Sequence, residues 1–269
     1  MNTQPRIDIP PIDLTGARAS TRDRPAALEV AWARHADEVK LAQRLRHQVF
    51  VGEMGARLNV PPGTEPGLDV DLYDRFCEHL IVRTVECDDA PSQVVGTYRL
   101  LTPDASRLVG GLYTDTEFDL WRLARLRPRM VELGRSCTDP AWRHGAVMLL
   151  LWSSLAQFMQ RNRLEVMIGC ASVAMRDGGH LAANLWRSLS LTHLAPIEDQ
   201  VRPRLPLPVD DLRHDLPVEP PPLVKGYLRC GAKVLGAPAW DPDFGTADLP
   251  IMLKLGELAP SYRRRFLGR

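Results

Sequence analysis

The segment from Ala146 to Arg161 constrains the fold of this chain more than any other segment does. Its side chains are apolar on nearly every face, a pattern typical of a helix buried in a core. Residues 130–137 before it and 166–171 after it have the composition of short β-strands. A strand, a buried helix and a second strand predict a βαβ unit in which the two strands are parallel.

Residues 79–85 and 94–101 are rich in Val, Ile, Thr and Tyr, and a short polar turn separates them. They predict a β-hairpin on the N-terminal side of the βαβ unit. Residues 25–50 carry apolar side chains at roughly helical spacing, which predicts helical structure in two pieces. A short helix is expected within residues 114–126.

Proline and glycine divide the C-terminal third of the chain. Seven prolines between residues 203 and 222 predict a long insert instead of a regular element. A helix over residues 224–232 is expected to end at Gly231. A last strand over residues 251–255 is expected after the Gly/Asp/Pro-rich stretch 240–250.

Taken in order, these elements predict a mixed α/β fold: a central mixed sheet with antiparallel N-terminal strands, a βαβ unit and flanking helices. A length of 269 residues with 45% apolar side chains is sufficient for one sizeable core. We therefore expect one domain over residues 25–269, preceded by a flexible polar arm at residues 1–24.

The composition argues against several classes of function. Its 34 Lys and Arg residues against 33 Asp and Glu residues give a net charge of +1, which argues against a nucleic-acid partner. The five cysteines are scattered without a CxxC pair, so neither a disulfide framework nor a metal site is expected. The longest apolar run, residues 146–152, is far shorter than the roughly 18 residues of a membrane helix. No signal peptide is visible near the first residue, so a cytoplasmic location is expected.

The turn before the long helix is a candidate anion site. The first backbone N–H groups of a helix lack an internal partner and lie at the positive end of its dipole. Arg143, Gly145 and Ala146 at this point fit a phosphate or pyrophosphate group. A tight helix entry with a solvated arginine is the alternative interpretation.

Glu132 and Arg135 form a second candidate site on the strand before that turn. Residues three apart face opposite sides of a regular strand, but Gly134 offers a place for a bulge that would bring both to one face. A carboxylate and a guanidinium beside an anion site suit the deprotonation of an amine nucleophile. An internal salt bridge is the alternative.

Three further groups are candidate substrate contacts. Arg46 and Phe50 lie four apart and share one helical face. Asp71 and Asp74, in an expected loop, suit a cationic amino group, although loop aspartates are more often simply solvated. Arg99 on its strand needs a carboxylate or phosphate partner if it faces inward.

Read in chain order, these motifs resemble the bacterial L-ornithine Nα-acyltransferases of ornithine-lipid synthesis. The Arg/Phe, Asp, Arg and Glu-x-x-Arg series is also similar to that of the acyl-homoserine-lactone synthases, and both groups share the GCN5-related N-acyltransferase (GNAT) fold. The segments that carry the resemblance are 46–56, 71–74, 77–82, 95–100, 132–137, 221–232 and 241–248.

The resemblance implies transfer of a 3-hydroxyacyl chain from acyl carrier protein to the α-amino group of L-ornithine. It implies direct transfer, with acyl-ACP as a co-substrate and no permanently bound cofactor. Glu132 is then the proton acceptor, through water, and Arg135 orients it. The turn at residues 143–146 keeps only part of the motif of acetyl-CoA users, which favours the single phosphate of a carrier protein.

The same resemblance suggests where the acceptor binds. Asp71 and Asp74 are candidates for the side-chain cation of ornithine, and Arg46 or Arg99 for its carboxylate. Two alternatives stay open: an autoinducer synthase that acylates S-adenosylmethionine, and a non-catalytic module that binds acyl carrier protein or lipid.

Four remaining features have simpler interpretations. Cys137 and Cys170 are expected to be buried thiols instead of nucleophiles, and His79 a structural histidine instead of a proton carrier. The arginine-rich tail, residues 262–269, suits either contact with an anionic membrane or a solvated terminus.

Overall fold

The computed structural model describes residues 27–86 and 91–268, so the arm expected at residues 1–24 lies outside the described residues. Ten strands are described: β1 Leu28–Trp32, β2 Glu78–Thr84, β3 Val94–Leu101, β4 Phe118–Asp119, β5 Met130–Thr138, β6 Val166–Ala174, β7 Arg202–Pro203, β8 Lys233–Val234, β9 Ala239–Asp241 and β10 Thr246–Lys254. The described α-helices are α1 Ala36–His47, α2 Pro103–Val109, α3 Thr114–Glu117, α4 Ala146–Arg161, α5 His180–Thr192, α6 Pro222–Cys230 and α7 Pro260–Leu267.

One mixed sheet organises these elements. Its strand order is β1-β2-β3-β5-β6-β10-β8, with β9 also paired to β10. The predicted hairpin of β2 and β3 is confirmed, and so is the parallel pairing of β5 with β6 around α4. The other pairings described within this sheet are antiparallel.

Helices and loops cover both faces of the sheet. Alternate residues of a strand point to opposite faces, so Leu80 and Val82 pack beneath α4 while Ile81 packs against α1. The α4 face also carries α5, α6 and α7. The α1 face is completed by residues 102–129, which cover Met130 and Ile168.

The sheet opens between β5 and β6. Within the described chain these strands pair only from Met130 to Glu132, opposite Val166 to Ile168. Both strands continue beyond that point, so they separate and form a fork. A Cβ atom at Gly169 would overlap the carbonyl oxygen of Leu133, which is why a glycine is required where the strands begin to part.

A bulge interrupts β5 opposite β3. Thr97 pairs with Cys137 and Arg99 with Gly134, so three steps along β5 face two along β3. Arg135 accommodates the extra residue in the left-handed region, with a φ of 51°. Because a bulge reverses the alternation of faces, Glu132 and Arg135 share the α1 face, as the sequence predicts.

Three predictions of local structure need correction. Residues 28–32 form the edge strand β1 instead of a helix, because their alternating apolar side chains pair with β2. Helix α5 lies in a stretch to which no element was assigned. The last strand begins at Thr246, and it includes Pro250 at the point where its partner changes from β9 to β8. There the missing N–H of proline is tolerated.

The expected helix ending at Gly231 is confirmed, since Gly231 follows α6 as its left-handed cap. The predicted insert at residues 203–222 corresponds to the connection between β7 and α6, which comprises residues 204–221. Across the described ranges, each helix is too short or too polar to cross a bilayer.

Candidate active site

A cavity of about 250 Å³ passes through the fork and reaches both faces of the sheet. Its part on the α4 face, the apolar limb, is lined mainly by Trp152, Leu155, Ala156, Tyr227, Leu253 and Phe266. Its part on the α1 face, the polar limb, is lined by Tyr73, Arg99, Tyr113, Thr114, Glu132, Arg135, Cys170, Asp241 and Asp248. The opening between β5 and β6 therefore joins the apolar limb, which is lined by hydrophobic side chains, to the polar limb, which is lined by charged ones.

Glu132 lies on the wall of the polar limb, where it is almost completely buried. Its carboxylate accepts hydrogen bonds from the backbone N–H groups of Tyr113 and Thr114, at 2.7 and 2.6 Å, and from the Thr114 hydroxyl at 2.5 Å. Burial raises the pKa of Glu132, and the hydrogen bonds from Thr114 and Tyr113 offset this only in part. Glu132 is thus held rigidly with an elevated proton affinity.

Arg135 reaches the same limb by a different route. Its guanidinium stacks over the rings of Phe244 and Tyr113, 4.6 and 5.2 Å from their centroids. It does not pair with Glu132; its ionic partners are Asp71, at 3.2 Å, and Asp69, at 3.3 Å. Arg135 contacts the Tyr113 ring and the Tyr113 backbone N–H donates to Glu132, so the two side chains are linked through Tyr113 and not by a direct ion pair.

Arg135 belongs to a buried network of three arginines and three aspartates: Arg46, Arg99, Arg135, Asp69, Asp71 and Asp74. The formal charges of this arginine–aspartate network cancel. Five of the six residues were singled out from the sequence, but their pairing with one another was not, and Asp69 was missed.

Arg46 is the most enclosed member of the network. Its three guanidinium nitrogens donate to Asp69 and Asp74 at 2.8–2.9 Å, and Nη2 also donates to the Asp69 backbone carbonyl. Burial raises the pKa of the Asp74 carboxyl, but Arg46 and Arg99 outweigh burial and hold that pKa well below its usual range. Asp74 is therefore ionised, and both of its carboxylate oxygens are paired with Arg46.

Pairing within the network determines which of its residues can contact a substrate. Arg46, Asp71 and Asp74 do not line the cavity, whereas Arg99 and Arg135 do. Asp71 and Asp74 both accept hydrogen bonds from Arg99, at 2.7 and 3.2 Å, so they face arginines and not an external cation. Phe50, the other predicted contact, lines the cavity edge and packs edge-on against Phe244.

A second acidic group, which the sequence did not reveal, lies beside the polar limb: two of its residues, Asp241 and Asp248, line the cavity, and Glu117 does not. We call Glu117, Asp241 and Asp248 the acidic cluster. Oxygens of Glu117 and Asp248 lie within 4.8 Å of each other and of the Cys170 sulfur. Burial and the neighbouring carboxylates raise the pKa values of both Glu117 and Asp248. These residues are far apart in sequence, and the only early signal was that 241–248 falls in a family-like segment.

The candidate phosphate turn is ordered at the start of α4. Gly145 adopts a left-handed φ of 95° as the N-cap, and Ala146 begins the helix. Arg143 donates two hydrogen bonds to the Glu53 carboxylate, both at 2.6 Å. The arginine is therefore present at the helix start, but it is engaged by a glutamate on an exposed surface.

The remaining candidates have mainly structural surroundings. The His79 Nε2 atom lies 2.9 Å from the backbone carbonyl of Asp74, and burial lowers the pKa of His79, so the ring is neutral. Burial raises the pKa of Cys137 to about 12 and that of Cys170 well above its ordinary value. Both thiols are thus protonated, in line with their interpretation as buried residues.

Known proteins match this architecture in sequence and in fold. Residues 45–153 match a family model described as an acetyltransferase (GNAT) domain. The chain is 35% identical over 255 residues to the L-ornithine N(alpha)-acyltransferase of Rhizobium meliloti, covering 89% of this chain and 84% of the relative. It is 34% identical over 254 residues to that of Rhodobacter capsulatus, covering 91% and 96%.

Among solved structures, the AHL synthase LasI is similar with a TM-score of 0.53 and 12% sequence identity, over 91% of this chain and 96% of that one. At that identity the likeness concerns the fold. Together with the GNAT match, it confirms the mixed α/β acyltransferase fold expected from the sequence.

Proposed function

This chain belongs to the family of L-ornithine Nα-acyltransferases, and on that premise we propose that it transfers a 3-hydroxyacyl chain from acyl carrier protein to the α-amino group of L-ornithine. The product is a lyso-ornithine lipid, formed in the first step of ornithine-lipid synthesis. One observation supports this proposal above all: the cavity joins an apolar limb to a polar limb through the fork.

The two limbs suit the two substrates. An acyl chain buries its apolar surface between α4, α6, α7 and β10, whereas an amino acid has its charged groups in the polar limb. The thioester carbon then lies at the fork between them. The α-amine attacks that carbon, the new C–N bond forms, the C–S bond breaks, and the pantetheine thiol leaves.

Glu132 is the proposed proton acceptor, acting through a water molecule. Only the uncharged amine attacks a thioester, so the ammonium proton of ornithine must be removed first. Burial raises the pKa of Glu132. This brings the proton affinity of the carboxylate closer to that of the substrate amine, from which it must accept the proton. The hydrogen bonds from Tyr113 and Thr114 fix its position.

Arg99 and Arg135 are the proposed partners of the ornithine α-carboxylate, because both line the polar limb. Asp71 and Asp74 position them, and Arg46 in turn positions Asp74 through paired hydrogen bonds. In this proposal the network acts as a scaffold that presents two cationic side chains to the substrate.

The acyl donor is proposed to bind its phosphopantetheine phosphate at Arg143, Gly145 and Ala146. The free N–H groups at the start of α4 and the arginine beside them are suited to a phosphate. The Arg143 guanidinium donates to both carboxylate oxygens of Glu53 in the structure, so a phosphate must compete with that carboxylate for Arg143. Acyl-ACP enters as a co-substrate, and no permanently bound cofactor is required.

The protein is further proposed to act in the cytoplasm and to contact anionic membrane through α7. Arg264 and Arg265 are exposed on that helix, whereas Phe266 is buried and lines the cavity. The contact is therefore electrostatic, without an inserted aromatic side chain. Sedimentation with anionic vesicles, but not with neutral ones, tests it.

The first experiment supplies purified protein with 3-hydroxyacyl-ACP and either L-ornithine or S-adenosylmethionine, and identifies products by mass spectrometry. We expect Nα-acylornithine. An acyl-homoserine lactone would identify a signal synthase, and binding of acyl-ACP without turnover would identify a non-catalytic module; either result would contradict the proposal.

The role of Glu132 is tested by Glu132→Gln in the same assay. Loss of a positioned proton acceptor lowers turnover by about a hundredfold or more, while the melting temperature stays close to that of the wild type. Glu165→Gln is the control, because Glu165 is an exposed glutamate paired with Arg129. An unchanged rate for Glu132→Gln removes Glu132 from the mechanism.

A further inference from the structure

The acidic cluster has no cationic partner among the described residues. Within those residues, Glu117, Asp241 and Asp248 form no ion pair with Lys, Arg or His. The carboxylate oxygens of Glu117 are buried and accept no hydrogen bond. Asp248 is 3% exposed, and it accepts one hydrogen bond, at 2.9 Å, from the Thr246 hydroxyl.

Such an arrangement is costly for a folded protein without a ligand. A buried carboxylate that lacks a partner loses its hydration without compensation, and a second carboxylate nearby adds repulsion. The raised pKa values of Glu117 and Asp248 reflect both effects. A positive charge placed among these carboxylates would remove both costs.

The surroundings favour an ammonium group over a metal ion. The third group near Glu117 and Asp248 is the thiol of Cys170, and burial raises its pKa so far that it stays protonated. A protonated thiol is a poor metal ligand, since metals bind the thiolate. An ammonium group instead needs only acceptors, which the carboxylates supply.

The cluster is connected directly to the reaction centre. The Thr114 hydroxyl donates to Glu132, at 2.5 Å, and lies 3.9 Å from the Cys170 sulfur. Asp248 and Cys170 also line the polar limb that contains Glu132. An acceptor whose α-amine lies at Glu132 can therefore extend an unbranched side chain past Thr114 toward Asp248.

We infer that Glu117, Asp241 and Asp248 form the subsite for the terminal ammonium group of the acceptor's side chain. The cluster thereby selects a basic amino acid over an apolar one of the same shape. Asp241 closes the subsite, with its carboxylate held by the backbone N–H groups of Asp243 and Phe244 at 2.9 and 3.0 Å. This assignment rests on the proposed function, and it replaces Asp71 and Asp74 as partners of the side-chain cation.

The test compares L-ornithine with L-norvaline, which has the same carbon skeleton but no terminal amine. Wild-type protein is expected to prefer ornithine by at least about a hundredfold in kcat/KM, because a site built for a polar group discriminates strongly against an analogue that lacks it. Asp248→Asn and Glu117→Gln are each expected to raise KM for ornithine about tenfold or more and to reduce that preference, with a smaller effect on kcat.

Asp210→Asn is the matched control. Asp210 is exposed, carries the same charge and does not line the cavity, so this variant is expected to keep the wild-type preference. Calorimetric titration with L-ornithine measures binding separately from turnover. In that titration Asp248→Asn should weaken binding by a factor similar to the rise in KM.

The outcomes separate this inference from the function it rests on. If wild-type protein acylates ornithine but Asp248→Asn and Glu117→Gln both retain its preference over norvaline, the subsite is wrong while the function stands. If wild-type protein neither binds nor acylates ornithine, both fail. A stoichiometric divalent metal that is lost on Glu117→Gln, with KM for ornithine unchanged, would assign the cluster to a metal instead.

Discussion

Two largely buried ionic regions border the polar limb, and they differ in charge balance. The arginine–aspartate network pairs three guanidinium groups with three carboxylates, and each of its aspartates contacts at least one arginine. The acidic cluster places its carboxylates together without such a partner among the described residues, and the Glu117 oxygens are unsatisfied. Burial is similar in the two regions, so pairing alone distinguishes them.

The difference suits the two regions to different roles: the arginine–aspartate network stabilises the fold, and the acidic cluster suits a bound cation. The pKa of Asp74 is held below its usual range by Arg46 and Arg99, whereas the pKa values of Glu117 and Asp248 are raised. A region that supplies its own counter-charges stabilises the fold and gains little from a ligand. A region that lacks counter-charges weakens the fold, and it is stabilised strongly when a ligand supplies the missing positive charge.

The largest effect is expected from Arg46→Met, which breaks the balanced region. Removing the arginine leaves Asp69 and Asp74 buried with fewer partners, and this should lower the free energy of unfolding by about 3–5 kcal/mol. Urea denaturation measures the loss. Arg44→Met is the control, because Arg44 pairs with Glu65 on an exposed surface; similar losses in both variants would show that burial of the network contributes nothing.

A smaller change of opposite sign is expected from Glu117→Gln. The amide keeps the shape of the side chain but removes the free-energy cost of the raised Glu117 pKa, so the free energy of unfolding should rise by about 1 kcal/mol or more. Thermal denaturation near pH 8 without ligand measures the gain. A destabilised Glu117→Gln variant would mean that the carboxylate has a partner within the fold.

The pH dependence of stability should have two flanks with separate causes. Asp74 has a lowered pKa, so its contribution is present above the ordinary value of 3.8 and is lost as the pH falls below it. Glu117 has a raised pKa, so the folded state loses stability as the pH rises from the ordinary value of 4.5 toward the raised one. Urea midpoints measured from about pH 3 to about pH 9 resolve both flanks.

The gain from Glu117→Gln should therefore be small near pH 5 and clearly larger near pH 9. Asp210→Asn should follow the wild-type profile across this range, because Asp210 is exposed. A gain that does not depend on pH would show that Glu117 titrates as it does in the unfolded chain.

The smallest effect on stability is expected at the exposed pair of Glu53 and Arg143. Glu53→Gln should change the free energy of unfolding by less than about 1 kcal/mol, because exposed ion pairs contribute little. It should nevertheless lower KM for the acyl donor severalfold, since it frees Arg143 for phosphate. A KM that is unchanged would argue against a phosphate at Arg143.

Sequence patterns predicted the parts of this structure that depend on neighbouring residues. The βαβ unit follows from the apolar helix and its flanking strands, and the shared face of Glu132 and Arg135 follows from a glycine between them. Leu28–Trp32 was misjudged because its alternation is short and merges with the helix after it. Helix α5 follows a stretch of glycines that obscured its start.

The acidic cluster was beyond the reach of such patterns. Asp248 comes into position because β10 pairs with β6, which places it opposite Ser172, and Glu117 is contributed by the last residue of α3. The charged residues of the arginine–aspartate network were all candidates except Asp69, yet only the folded chain shows that they satisfy one another. The sequence thus indicated which charged residues take part in the network, but it did not indicate which of them pair with one another.

The fork has a consequence for how the protein is held together. Three residue pairs join β5 to β6, whereas five join β3 to β5 and nine join β6 to β10, so the seam beside the active site is weaker than the seam on either side of it. Beyond it, two strand edges carry peptide groups that no neighbouring strand pairs within the described residues, and such groups need partners. In the proposed function, the amides of the donor's pantetheine arm supply those partners, so donor binding is expected to stabilise the sheet between β5 and β6.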